Sequence, residues 1–149
     1  MFEITRAGVK DHGVVTGLLL DLSETQGWKP ETDRDRWDRV LAELLDSDSW
    51  LFLLACEDGD AVGLVAVNWV LTLYGSRAQA RIQALLVDSA HRRRGVGTEL
   101  IRSAQAAARR RGCREVEASV RPGDDVTAAF YRSFEDTSER LMFAWPFED

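Results

Sequence analysis

The sequence predicts an α/β (α+β) fold: a mixed, mostly antiparallel sheet with helices on its faces. Three observations carry this. Strand and helix periodicities follow in the order strand, two helices, three strands, helix, strand, helix, strand. The three middle strands are joined by short turns and read as an antiparallel meander. The chain of 149 residues is 45% apolar, which suits one domain over 1–149 with a core that needs no disulfide or metal.

Residues 2–5 alternate and open the sheet. Val14, Val15, Leu18, Leu19 and Leu22 recur at helical spacing over 10–24, and Gly27 ends that run. Thr32 suits an N-cap, with Asp33 and Asp35 in the following turn and Trp37, Val40, Leu41, Leu44 and Leu45 on one face of the helix. The nearly all-apolar run 50–57 is a strand, and Asp58 and Gly59 make a hairpin turn. Residues 61–73 and 78–87 supply the next two strands, separated by a turn at Gly75 and Ser76. A helix opens at Gly95, Val96 and Gly97. Val96, Leu100, Ile101, Ala104 and Ala108 lie along one side, Arg109–Arg111 complement the dipole at its end, and Gly112 stops it. A strand over 115–120, a helix over 124–134 and a last strand over 140–145 complete the pattern.

Charge divides the molecule unevenly. The net charge of −6 argues against a general nucleic-acid binder. Residues 91–114 nevertheless hold eight arginines against Glu99 alone, a balance of +7, which leaves −13 on the rest of the chain. A basic island in an acidic body suits a compact anion, whereas a long polyanion would be repelled. No apolar stretch approaches the ~20 residues that cross a bilayer, and the first residues lack the apolar run of a signal peptide. Cys56 and Cys113 have neither metal-ligand nor disulfide-framework spacing, which points to a reducing, cytoplasmic setting.

The island coincides with a strand–loop–helix. Arg92, Arg93, Arg94, Gly95, Val96, Gly97 and Thr98 follow the apolar strand directly. A helix N-terminus offers outward N–H groups and partial positive charge, glycines let a ligand approach the backbone, and arginines add charge-assisted hydrogen bonds. Together these make a pyrophosphate-sized anion site. No Lys follows Gly97, as a P-loop requires, and position 100 is Leu where a dinucleotide fingerprint needs its third glycine.

The pattern that fits is Arg/Gln-x-x-Gly-x-Gly/Ala after a strand ending in Val-Asp, here ALLVDSAHRRRGVGTELI over 84–101. It resembles the GCN5-related N-acetyltransferases, and Ala128-Ala129-Phe130-Tyr131 on the later helix strengthens the resemblance. The resemblance covers nearly the whole chain and implies the fold of that family. It further implies transfer of the acetyl group of acetyl-CoA to a primary amine by direct attack. By position, the strand around Leu85, Leu86 and Val87 would meet the pantetheine arm, and Arg92–Thr98 the pyrophosphate. Asp124 stands where the family often has Asn, and it is assigned to the cofactor side. Tyr131 corresponds to the general acid that faces the sulfur; the alternative is a tyrosine that fills core.

This sequence departs from the family pattern in two further places. Many relatives carry a Glu base just before the Leu-x-Val of the central strand, where this chain has Ala84 preceded by Gln83. The family commonly continues x-x-Leu-Gly-Phe after the tyrosine, whereas Arg132, Ser133 and Phe134 follow here. Two residues are lost, and with them the glycine helix stop.

In this family the first two helices, their loop and nearby strand ends form the acceptor site. Residues 21–48 carry nine acids and four bases, which suits a small cationic amine. Glu24, Trp28, Tyr74 and Gln83 are the candidate substrate contacts. His12 and His91 receive no catalytic role, and no metal site is expected. The partners expected are a small-molecule amine, with neither nucleic acid nor membrane; an exposed last strand would support a homodimer. The competing reading is a non-catalytic acyl-CoA-binding or protein-interaction module on the same fold, favoured by Ala84 and the altered segment after Tyr131.

Overall fold

The computed structural model describes residues 2–26, 34–73 and 75–148, apart from the side chains of 22–26. It divides into two compact units, Met1–Glu117 and Ala118–Asp149.

The first unit is built on a sheet in the order β1-β2-β3-β4-β5. β1 (Glu3–Arg6), β2 (Trp50–Glu57), β3 (Asp60–Val70) and β4 (Gln79–Val87) pair antiparallel with their sequence neighbours, as a meander must. β5 (Val116–Ala118) lies beyond β4. Gln79 donates to Glu115, and Arg81 Nε donates to Glu117 at 2.8 Å. These pairs advance in the same direction along both segments, so β5 begins in the parallel sense.

Helices cover both faces. α1 (His12–Gln26) and α2 (Arg34–Asp46) bring Val15, Leu18, Leu41 and Leu45 onto Phe52, Leu54, Leu64, Ala66 and Leu86. α3 (Val96–Arg110) packs on the opposite face, where side chains of the other parity point. Its buried stripe of Val96, Leu100, Ile101, Ala104 and Ala108 is the one its 3.6-residue periodicity predicts. Gly63 on β3 permits the close approach. A Cβ there would lie 2.9 Å from Val96 Cγ1, 3.0 Å from Leu100 Cδ1 and 3.1 Å from the Leu86 carbonyl oxygen. Trp37 and Trp50 pack against the core, whereas Trp69 is half-buried under the Arg111 guanidinium at 4.9 Å.

The second unit holds α4 (Asp125–Arg132). Its stop replaces the missing glycine by other means. The Ser133 hydroxyl donates to the Phe130 carbonyl at 2.5 Å, and the Thr137 hydroxyl lies 3.2 Å and 2.8 Å from the Tyr131 and Phe134 carbonyls. Asp136 adopts the left-handed conformation (φ 59°) that glycine would take most easily.

Two expected strands are corrected. The strand over 115–120 is only Val116–Ala118. Residues 140–145 form no strand, and Leu141, Phe143 and Trp145 are exposed. A β-prone run becomes a strand only when another strand pairs with it, and that partner is not encoded locally. The strand argument for a homodimer falls with it.

Candidate active site

The central strand changes phase at a bulge. Ala66 pairs with Ala84 and Val67 with Ile82, so Gln83 is the extra residue on β4. The phase on either side follows from two hydrogen bonds. Ala80 N–H donates toward the β5 side, to the Glu115 carbonyl at 2.9 Å, while Asp88 N–H donates to Val62 on β3 at 2.8 Å. Backbone groups alternate sides along a strand. Before the bulge, Ala80 and Ile82 therefore face the outer edge; after it, Leu85 and Val87 do. β5 has three residues against nine in β4 and cannot pair along its whole length.

The resemblance assigns Leu85, Leu86 and Val87 to the pantetheine arm, and of these Leu85 and Val87 turn their N–H and C=O groups outward beyond the bulge. Leu86 instead points its backbone at β3 and buries its side chain against α1 and α2. The exposed Gln83 side chain donates to Asn68 Oδ1 at 2.7 Å.

A short turn, Ser89–His91, carries β4 into the glycine loop. Gly95 is the N-cap of α3 with φ 84°, and Arg93 is also left-handed at φ 61°. For a non-glycine residue that conformation is sparsely populated and clusters at functional sites. Gly95 brings no capping side chain, so the N–H groups of the first turn remain directed outward. Arg92, Arg93 and Arg94 are exposed around them, and Arg92 Nε donates to the Val87 carbonyl at 3.4 Å. Gly97 and Thr98 are half-buried, and Val96 is anchored in the core.

The match to the acetyltransferase (GNAT) family runs over residues 17–135. The chain belongs to this family. It is accordingly an acyltransferase, and acetyl-CoA is the co-substrate of the family.

An aminoglycoside N(6')-acetyltransferase type 1 of Stenotrophomonas maltophilia is 28% identical over 127 residues, covering 82% of each chain. Among solved structures, an aminoglycoside acetyltransferase from an uncultured soil metagenomic sample, in complex with sisomicin, superposes with a TM-score of 0.86. It is 22% identical, over 99% of this chain and 95% of that one. AAC(6')-Iy in complex with a CoA-S-monomethyl-acetylneamine bisubstrate analog gives 0.77 at 21% identity, over 99% of each chain. At such identities the two structures establish the shared fold.

Several sequence-predicted residues of this family member belong to the second unit or lie outside the described residues. Tyr131 belongs to the second unit, where its ring contacts Phe130 at 5.5 Å. Burial and the nearby Asp124 carboxylate push its phenol above the ordinary tyrosine range. Asp124 caps α4: its Oδ1 accepts from Thr127 N–H at 3.1 Å. Hydrogen bonds from the Thr127 side chain and backbone hold its carboxyl below the usual range. Glu24 lies on α1 with its side chain outside the described residues, and Trp28 and Tyr74 lie outside them altogether.

Sequence reasoning missed Glu57. It ends β2, 37 residues before Arg94, yet its carboxylate takes both terminal nitrogens of the Arg94 guanidinium, at 2.7 Å and 3.1 Å. Only strand register brings the two together. The bidentate pair holds the Glu57 carboxyl below its usual range, with Arg94 and His91 adding charge attraction.

Proposed function

We propose that this chain transfers the acetyl group of acetyl-CoA to a primary amine of a small cationic molecule, by direct attack within a ternary complex. The observation that carries the reading is one juxtaposition. The glycine–arginine turn at the start of α3 adjoins the stretch of β4 whose outward backbone groups, on Leu85 and Val87, follow the Gln83 bulge. The first suits a pyrophosphate, and the second suits the amide-bearing arm that joins it to the thioester. Arg92, Arg93 and the N–H groups along Arg94–Thr98 would hold the phosphates, while the side chain of Leu86 supports β4 from behind.

The residues then have defined tasks. A backbone N–H on the outward edge of β4 would polarise the thioester oxygen. The family resemblance assigns Tyr131 to donate a proton to the departing sulfur, and a phenol carries that proton at neutral pH. The amine must lose its own proton first, which at pH 7 costs roughly 4 kcal/mol for an alkylammonium. With Ala84 in the family's usual glutamate position, that proton leaves through water or another carboxylate, for which Glu24 is our candidate. Asp124 serves the cofactor side by fixing the start of α4. Trp28, Tyr74 and Gln83 are assigned to the acceptor.

The acidic balance of 21–48 and the aminoglycoside acetyltransferases among the relatives support a cationic acceptor. We take the two units as one acetyltransferase domain, because the family match runs through both. Among the described residues no helix is long and apolar enough to cross a membrane, and the chain's thiols are free. Free thiols fit work in the reducing cytoplasm.

The test has two stages. Acetyl-CoA should raise the melting temperature, and Gly97→Glu should abolish the rise by placing a carboxylate in the phosphate turn. Thiol release is then measured against a panel of aminoglycosides, polyamines and peptide amines. Binding without turnover on any amine would favour a non-catalytic acyl-CoA-binding module.

A further inference from the structure

Glu57 is out of place electrostatically: a carboxylate, 19% exposed, set against the arginine-rich turn that is read above as an anion site. Left alone it would repel a phosphate. It is not alone. Arg94 grips it with two hydrogen bonds, and His91 Nε2 lies 3.2 Å from its Oε2. The other nitrogen of the same ring, Nδ1, lies 2.8 Å from Asp88 Oδ2. The Arg94 guanidinium also lies over the Phe2 ring at 5.6 Å. The Asp58–Gly59 hairpin turn, left-handed at both residues, fixes the end of β2 from which Glu57 projects. The result is a chain of contacts from Asp88 through His91 and Glu57 to Arg94. It spans the turn from the end of β4 to the residue before Gly95.

We propose that Glu57 is a positioning residue for the pyrophosphate turn, and that Arg94 serves it as a strut rather than as a phosphate ligand. The turn needs such support. It holds Arg93 in a left-handed conformation that persists only where the surroundings impose it, and α3 begins without a side-chain cap. The two terminal nitrogens that Arg94 would present to a phosphate are the two that hold Glu57. Arg92 and Arg93 flank the same turn and keep the electrostatic role.

The proposal rests on the acetyl-CoA reading of the turn, and the experiment separates the two. Dissociation constants for acetyl-CoA are measured by calorimetry for the parent, Glu57→Ala, Arg94→Ala and the double variant, with ligand-free melting temperatures to confirm folding. A strut predicts that each single variant weakens binding by a similar factor, about 10- to 150-fold, the scale of one charge-assisted pair, and that the double variant is no weaker than either. If Arg94 is a phosphate ligand restrained by Glu57, Glu57→Ala tightens binding while Arg94→Ala weakens it, and the proposal is overturned. Steady-state kinetics add a second readout. Glu57→Ala should raise KM for acetyl-CoA more than it lowers kcat, and leave KM for S-acetylpantetheine, which has no phosphates, where it was. A parallel rise for both thioesters would overturn the proposal. Should Glu57→Ala fail to fold, the charge-swapped pair Glu57→Arg with Arg94→Glu decides: recovered affinity supports a strut, and affinity as poor as Arg94→Glu alone refutes it. A parent that binds no acetyl-CoA would remove the functional reading itself, and the strut with it.

Discussion

Gly63→Ala tests how the sheet sets the position of the glycine–arginine turn. The added methyl meets Val96 Cγ1 at 2.9 Å, Leu100 Cδ1 at 3.0 Å and the Leu86 carbonyl at 3.1 Å. None of these gives way easily. Val96 is 1% exposed and Leu100 fully buried, a β-branched residue on a helix has one strongly preferred rotamer, and the third atom is backbone. Relief requires α3 to lift from β3 by some tenths of an ångström. Overpacking of this kind costs about 1–3 kcal/mol. For a chain of this size that lowers the melting temperature by roughly 3–10 °C. Val96 directly follows the Gly95 N-cap, so the same lift displaces the N–H groups of the turn, and acetyl-CoA affinity should fall with stability. Urea unfolding supplies the first quantity and calorimetric titration the second. Val96→Ala in the Gly63→Ala background should recover part of the loss, with a coupling of about 1 kcal/mol. A Gly63→Ala protein with the parent's unfolding midpoint and the parent's acetyl-CoA affinity would refute the reasoning.

Other expectations concern single groups. Tyr131→Phe should lower kcat about 100-fold with little change in acetyl-CoA affinity, the scale of a lost general acid; equal turnover would remove the assignment. The raised Tyr131 pKa favours the protonated phenol in the folded state. Its contribution to stability is therefore complete below the ordinary tyrosine value of 10.0 and is lost as pH rises through the higher folded value. The chain has two tyrosines, so an ultraviolet titration should show a late phenolate transition that Tyr131→Phe abolishes. Gly95→Ala meets open space but must hold φ 84°, which costs about 1–2 kcal/mol; an unchanged denaturation midpoint would argue against a left-handed N-cap. The lowered Glu57 pKa means that its contribution is present above the ordinary carboxylate value of 4.5 and is lost as pH falls through the folded value. The melting-temperature gap between the parent and Glu57→Gln should therefore close in acid and persist at neutral pH.

The meander, the buried stripe of α3 and the glycine–arginine turn were all legible in the sequence, because each rests on local spacing. Alternation and 3.6-residue recurrence report which side chains are buried, and a left-handed N-cap selects glycine at position 95. The resemblance placed the cofactor strand at Leu85–Val87 without showing why Leu85 and Val87 differ from Leu86. That difference comes from the bulge at Gln83, which reverses the backbone phase of β4 and exists only in its register with β3. In the same way, the missing glycine after Tyr131 was visible, but not the hydroxyls of Ser133 and Thr137, or the turn at Asp136, that stop the helix instead. Composition could identify a basic island in an acidic chain, yet it could not show that Glu57 reaches into that island to take Arg94. The sequence by itself determined most of the elements, the family and the glycine–arginine turn, since these follow from residues close together in the chain. Tertiary structure alone decided which backbone groups face outward and which arginine is held as a strut, since strand pairing joins residues 37 positions apart.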